Sequence, residues 1–378
     1  MVVEVLRKLI ESLDEKLHDV ETGTPFFVHP PYKIYNIEAN RFHHIKKFDS
    51  RRKIVFVDGG NNSLLEGAGF SIQYNRVYFA IFENGLRVRS NRMPERVEFL
   101  SASVKVFKDE HPFFETIIYP LNNEFKSCLP FETDLFFDST DKCFRLGLFE
   151  VDFSRISSMA RRFAELQVAY HLVENEMDEG DILVLDRTLQ TSYTNESKYS
   201  EKLFQSANDR GIIVSGLAKT NRLYTTTGMG LLEAVQMIAK NVNYDRWYIL
   251  LAESTSKDHN AAIFIVKLNP LSEYVFRYEI LYDQYSKLSE EALNEIFWKV
   301  SENSADLCFP GYPYGLIAAD MFARVRTDEV ETYRTILLSE LSKNERFDKF
   351  LRRVRAVNAH DVLNFLASES GGNLNWML

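Results

Sequence analysis

Lys53-Ile54-Val55-Phe56-Val57-Asp58-Gly59-Gly60 is the stretch from which the rest of the chain can be read. Four consecutive β-favouring residues predict a strand buried on both faces. The two glycines predict a sharp turn just after Asp58, so a carboxylate is expected at a strand end. A charge beside a buried strand is unfavourable unless it is paired or bound to a cation. Asp58 is therefore either a turn-forming residue or a metal ligand. Downstream, 67–74 and 76–83 are rich in Phe, Ile, Val and Tyr. They predict two more strands, meeting near Asn75 and laid antiparallel beside the first as a meander.

A strand ending in Asp followed by two strands walking back across the sheet resembles the opening of a ribonuclease H-like nuclease domain. Such a domain needs at least two further carboxylates. Over 152–178 the period changes: Met159, Phe163, Leu166, Tyr170 and Val173 recur at steps of four and three and draw one apolar helix stripe. Asp152 or Ser154 can cap it. Glu165 lies on the shoulder of that stripe, where it can look along the edge of the sheet. Gly180-Asp181 breaks the helix, and Ile182-Leu183-Val184-Leu185-Asp186 is a second buried run ending in Asp.

The alternation continues with a helix over 196–209, a strand over 211–217 and a polar loop, Ala218-Lys219-Thr220-Asn221-Arg222. A helix over 231–240 and strands over 247–251, 261–268 and 274–281 follow. The remainder reads as helices over 290–300, 315–326, 329–341 and 346–366, the first two separated by the aromatic turn Cys308–Gly315. The expected fold is α/β, a ribonuclease H-like mixed sheet flanked by helices, with an inserted β-rich segment and a helical C-terminal region. Its expected divisions are an N-terminal helix and connection at 1–50, the nuclease domain at 51–326 with an insertion at about 86–150, and C-terminal helices at 327–378. The helix over 1–19 is expected to pack on the core through its apolar face. Within the insertion, Glu132–Asp134 and Asp138–Asp141 read as exposed loop.

The 378 residues allow one large domain or two modest ones, and 45% hydrophobic content suits a globular protein. A formal charge of −9 argues against a wholly basic nucleic-acid coat, but not against local basic patches such as Arg51-Arg52-Lys53. Three scattered cysteines form neither a disulfide framework nor a cysteine zinc site. With no signal peptide and no apolar run long enough for a membrane span, a soluble cytoplasmic protein is expected.

Phosphodiester hydrolysis needs a nucleophilic water and neutralisation of charge on the scissile phosphate. Divalent ions held by carboxylates supply both. Asp58 on the first strand, Glu165 on a helix and Asp186 on the following strand fit that need. Each of them alone has a plain structural reading.

Val57-Asp58-Gly59-Gly60, the helix Arg161–Leu166, the strand Leu183–Leu189, the loop Gly216–Thr220 and the late Gly311-Tyr312-Pro313-Tyr314 before an Ala-rich helix come in the order that resembles the NurA nuclease family. The resemblance spans roughly residues 54 to 325. It implies a ribonuclease H-like DNA nuclease dependent on Mn²⁺ or Mg²⁺, with 5′→3′ exonuclease and single-strand endonuclease activity. It also implies a ring-like homodimer and partnership with the hexameric ATPase HerA in end resection at double-strand breaks. Catalytic residues would be Asp58, Glu165, Asp186, Lys219 and Asp320, the first three holding metal. Tyr312 and Arg222 would contact DNA, Tyr312 by stacking on a base, although Tyr beside Pro313 is also an ordinary packing pair.

The chain departs from the family pattern at three places. Gly60 stands where Ser is usual, Arg187-Thr188 stands where Gly-Ser follows the second Asp, and Asp320 takes the place of a late His. Asp320 is then a fourth ligand, a surface residue or a sign of weakened catalysis. Lys219 contacts phosphate or is a solvated loop lysine.

Two other readings compete. One is a non-catalytic platform that docks DNA or an ATPase. The other is a sugar-kinase or actin-like protein in which Asp58–Ser63 forms a phosphate-holding turn. No Gly-x-x-x-x-Gly-Lys-Ser/Thr sequence is present, so a P-loop motor is excluded.

Overall fold

The computed structural model describes residues 2–17, 21–29, 31–67, 69–147, 150–219 and 223–343. Strand β1 (Ile54–Gly67) is far longer than the apolar run that announces it, and it pairs along its length with β2 (Phe70–Glu83). The turn expected after Asp58 is absent, and so is the break expected near Asn75. Gly59 and Gly60 sit in extended backbone because helices press on both faces there, not because the chain reverses. A Cβ on Gly59 would strike the Glu165 side chain, and one on Gly60 the Ala323 carbonyl. This removes the phosphate-holding turn on which the kinase-like reading depends.

Strands β3 (Arg96–Lys108) and β4 (His111–Pro120) continue the meander, so the segment read as an insertion extends the same sheet. Helix α1 (Val2–Leu17) precedes this sheet. Helix α2 (Phe153–Asn175) follows it, capped by the Asp152 carboxylate on the Ser154 and Arg155 amides. The chain then returns through β5 (Ile182–Leu185), α3 (Glu196–Arg210) and β6 (Ile213–Ala218). Strands β5 and β1 run parallel, as do β5 and β6. The order β3-β2-β1-β5-β6, with only its last three strands mutually parallel, is that of a ribonuclease H-like core.

Helix α4 (Leu231–Ala239) leads into β7 (Trp247–Ser256), β8 (His259–Lys267) and β9 (Phe276–Leu281), which extend the sheet from β6 in the order β9-β8-β7. Helices α5 (Glu290–Glu302), α6 (Tyr314–Ala323) and α7 (Thr327–Ser342) complete the described chain. The expected helix over 346–366 lies outside the described residues.

Alternation along β1 sorts the two cores. Val55 and Val57 pack with Phe163, Leu166 and Leu203 beneath α2 and α3. Ile54 and Phe56 pack with Phe297, Leu316 and Ala319 beneath α5 and α6. Asp134, expected in an exposed loop, is buried and bonded to Tyr199 and Lys198. The apolar residues Val2, Leu6, Leu9 and Leu13 of α1 are exposed instead of packed on the core. No helix among the described residues is long and apolar enough to cross a membrane.

Candidate active site

The parallel ladder between β1 and β5 ends at Val57 opposite Leu185. The next residue on each strand is an aspartate, and the Asp186 amide donates to the Val57 carbonyl at 3.2 Å. Beyond this point β1 keeps only β2 as a partner, so one edge opens. Asp58 and Asp186 share the alternation phase of Phe56 and Val184, which face α6. There they meet Asp320, in the last turns of α6. One carboxylate oxygen from each of Asp58, Asp186 and Asp320 lies within 4.8 Å of the others.

Lys219, just past β6, sits against all three. Its Nζ is 2.9 Å from Asp320 Oδ1 and 3.8 Å from Asp58 Oδ2, and it is paired with Asp186 Oδ2. The other oxygens are fixed from behind. Gly59 N–H donates to Asp58 Oδ1 at 2.7 Å, Tyr312 O–H to Asp186 Oδ1 at 2.9 Å, and Arg324 to Asp320 Oδ2 at 2.9 Å. Each carboxylate therefore has one tethered oxygen and one turned toward the common point.

The electrostatics follow from that crowding. Burial, with Asp186 and Glu165 nearby, pushes the Asp58 carboxyl up to about 9 against the opposing pull of Lys219. Burial would raise Asp320 too, but its bonds to Lys219 and Arg324 hold it below the usual carboxylate range. Burial would lower Lys219, yet Asp186, Asp320 and Asp58 together raise it. Burial and the Asp186 charge push the Tyr312 phenol far above its ordinary value, so its proton stays on the bond to Asp186. Three converging carboxylate oxygens are hard donors of the kind that hold a small divalent ion, and the donor set fits one.

Glu165 is close but on the other face. It shares the phase of Gly59, one residue on from Asp58, and its carboxylate lies over Gly59, paired with Arg161. Arg161 also donates to the Gly59 carbonyl at 3.1 Å. The structure thus groups Asp58, Asp186, Asp320 and Lys219, and leaves Glu165 across the strand from them. Tyr312 is 3% exposed, with its ring against Phe276 and Phe309, so the expected base-stacking surface is instead a buried support for Asp186. Arg222 lies outside the described residues.

Two departures from the family pattern have local causes. Gly60 makes room for the end of α6. Arg187 does not line the carboxylate cluster but turns away to pair with Glu196, which also holds Arg162 at 2.6 Å. A cleft of about 750 Å³ runs from Asp58 and Asp320 along Asn61 and Asn62 to Arg324, Arg326 and Asp328. Sequence reading missed Arg324 and Arg326. The signal for the first was its place four residues after Asp320, one turn on along the same helix face.

A ribonuclease H-like core that brings carboxylates together at the open end of its central strands is the framework of a nuclease. A family model described as the NurA domain matches residues 52–325, and the chain belongs to the NurA family. Loose fold similarity extends to solved structures. A NurA crystal structure aligns over 96% of this chain and 97% of its own, with TM-score 0.37 and 9% identity. Endonuclease V of Ciona intestinalis, in complex with inosine-containing DNA, aligns over 72% and 84%, with TM-score 0.33 and 12% identity. The catalytic domain of human Endonuclease V aligns over 76% and 84%, with TM-score 0.34 and 12% identity. No curated protein matches the chain significantly.

Proposed function

We propose that this protein is a Mn²⁺- or Mg²⁺-dependent DNA nuclease, a 5′→3′ exonuclease and single-strand endonuclease. It works at DNA ends with a HerA-type hexameric ATPase, as a homodimer, in end resection during double-strand break repair. The observation that carries the nuclease reading is the convergence of Asp58, Asp186 and Asp320 on one point held by Lys219. The finer activities, the ATPase and the dimer rest on membership of the family.

Asp58, Asp186 and Asp320 would hold the metal through their untethered oxygens. When bound, a divalent ion supplies Lewis acidity toward the phosphate and activation of water. The chain's own groups do the rest. Tyr312 and the Gly59 amide orient Asp186 and Asp58, which limits reorganisation at the moment of reaction. Lys219, 41% exposed at the mouth of the site, can turn from the carboxylates to a phosphate oxygen. Arg161 pairs with Glu165 and fixes it beneath Gly59, where it acts on Asp58 through the strand.

The platform reading drew on Arg187 and Asp320. Arg187 has a structural partner and Asp320 faces the other carboxylates, so both observations support the catalytic reading better. The test is cleavage of end-labelled single- and double-stranded DNA in Mn²⁺, Mg²⁺ or EDTA, beside Asp58→Ala. Metal-dependent shortening from the 5′ end that the variant loses is expected. Intact DNA under every metal, from folded protein with its ATPase added, would sink the nuclease reading.

A further inference from the structure

The linker between α6 and α7 forms one wall of the cleft, and it is built more firmly than a surface loop requires. Arg324 and Arg326 both have extended backbone, with φ, ψ of −62°, 126° and −77°, 155°. Val325 between them is 5% exposed and packs with Leu64, Tyr74 and Val330. In extended backbone, residues two apart share a face. With Val325 anchored inward, Arg324 and Arg326 are therefore carried outward together, and their side chains are 69% and 72% exposed. Both line the cleft that begins at Asp58.

What holds this linker is buried. Arg76, 4% exposed, donates to the Arg324 carbonyl at 3.0 Å and to Glu329 at 2.8 Å, and it also pairs with Glu98. Asn62 on the cleft floor donates to the Val325 carbonyl at 3.3 Å. Glu329 accepts from the Arg326 amide at 3.0 Å. The ion network around Arg76, with Asn62, thus fixes the main-chain atoms that lie between the two exposed arginines. Those groups rest on Asp320 and Asp328, and each pairing uses only part of a fork of five N–H donors.

We propose that Arg324 and Arg326 are a two-phosphate clamp for a single DNA strand running along the cleft away from the carboxylate site. Two residues of extended chain advance about 6.6 Å, close to the repeat of phosphates along one strand. Between Asp58 at one end of the cleft and Asp328 at the other, Asn61 and Asn62 are neutral hydrogen-bonding groups. Through its pairing with Asp320, Arg324 also ties the strand's register to the reacting centre. The clamp rests on the nuclease reading and adds to it the path and contact points of the substrate.

The test is binding of a fluorescent single-stranded oligonucleotide to the full chain in EDTA, where no cutting occurs, across a salt series. Each phosphate contact on a single strand contributes about 0.7 to the slope of log affinity against log salt. Arg326→Ala is expected to weaken binding about 3–10-fold, equally for unrelated sequences, and to lower the slope by about 0.7. Arg324→Ala/Arg326→Ala should lower it by about 1.4, and Arg326→Lys should keep most of it. Lys257→Ala, which removes an exposed cation outside the cleft, should leave the slope intact. Where the wild-type chain cuts DNA, wild-type affinity and slope in the double variant would overturn the clamp alone. A wild-type chain that neither binds nor cuts DNA would overturn the clamp together with the nuclease reading.

Discussion

Two sets of carboxylates in this molecule have opposite fates. Glu196 and Glu279 are both wholly buried, with 0% exposure, and each is saturated with partners. Burial would push Glu196 up, but Arg187, Arg162 and the Ser192 amide outweigh it and hold the group down to about 2. Glu279 is held to about 2 in the same way, burial being outweighed by Arg277, His259 and the Leu189 amide. Asp58, by contrast, is crowded against Asp186 with one lysine shared among three carboxylates, and it is pushed up to about 9. The difference teaches where charge is structural and where it waits for something. Groups that finish their own accounting in the fold stabilise loops, whereas a cluster short of positive charge has an outstanding affinity for a cation.

The largest effect expected is on chemistry. Asp58→Asn should lower DNA cleavage by about 10³-fold, beyond the 10–100-fold typical when only an outer partner of a metal ligand is lost. The same change should leave the protein as stable or more so without metal, because it relieves like-charge crowding. Glu279→Ala should do the reverse to the fold. Leaving Arg277 and His259 buried without their counter-charge is expected to destabilise by about 3–5 kcal/mol, measurable by urea unfolding. If Asp58→Asn unfolds the chain while Glu279→Ala melts normally, the division into structural and functional carboxylates is wrong.

pH should separate the two sets with opposite sign. In EDTA, folded Asp58 keeps its proton up to about 9, whereas the unfolded residue releases it near 3.8. Its contribution to stability is therefore present at low pH and lost as pH rises from about 4 through about 9. Glu196 and Glu279 contribute above the ordinary value of 4.5 and lose that contribution as pH falls toward about 2. Thermal melts in EDTA should accordingly show stability declining as pH rises from about 4 to about 9, a decline that Asp58→Asn flattens. A wild-type curve that declines no more than that of the variant over this range would mean that Asp58 is not crowded as described.

Much of this was legible in the sequence, and the failures have physical causes. The two apolar runs ending in Asp58 and Asp186 locate the centre of the sheet, because buried parallel strands need continuous apolar residues. Helix α2 is legible from its stripe and its Asp152 cap. Gly59-Gly60 misleads, because glycine serves turns and close approach equally well, and only the packing of Glu165 and Ala323 against β1 decides between them. Which of Glu165 and Asp320 shares a face with Asp58 was within reach of alternation. Phe56 and Asp58 share one face of β1 while Gly59 takes the other, but using that requires knowing which helix covers which face. Tyr312 read as a base-stacking residue or a packing partner of Pro313, and nothing local reveals that its hydroxyl finds Asp186, 126 residues away in sequence.

Lys219 gives the finest way to sharpen the comparison. Its ammonium occupies the place between Asp58, Asp186 and Asp320 that a divalent ion would take, and two cations repel at such separations. A divalent ion held by these carboxylates would displace it, and the lysine would then weaken metal binding in the free protein and be freed for a phosphate. Lys219→Met keeps an unbranched side chain one atom shorter and removes the charge. It should tighten Mn²⁺ binding without DNA by about tenfold, a difference of about 1.4 kcal/mol, read by titration calorimetry at fixed pH. In the same variant Mn²⁺ should strengthen DNA binding less than in the wild type, since binding couplings are reciprocal and the displaced ammonium is gone. Unchanged or weaker Mn²⁺ binding would mean that Lys219 organises the carboxylates for the ion instead of standing in for it. The cluster would then belong beside Glu196 and Glu279, as a site whose charge is already satisfied.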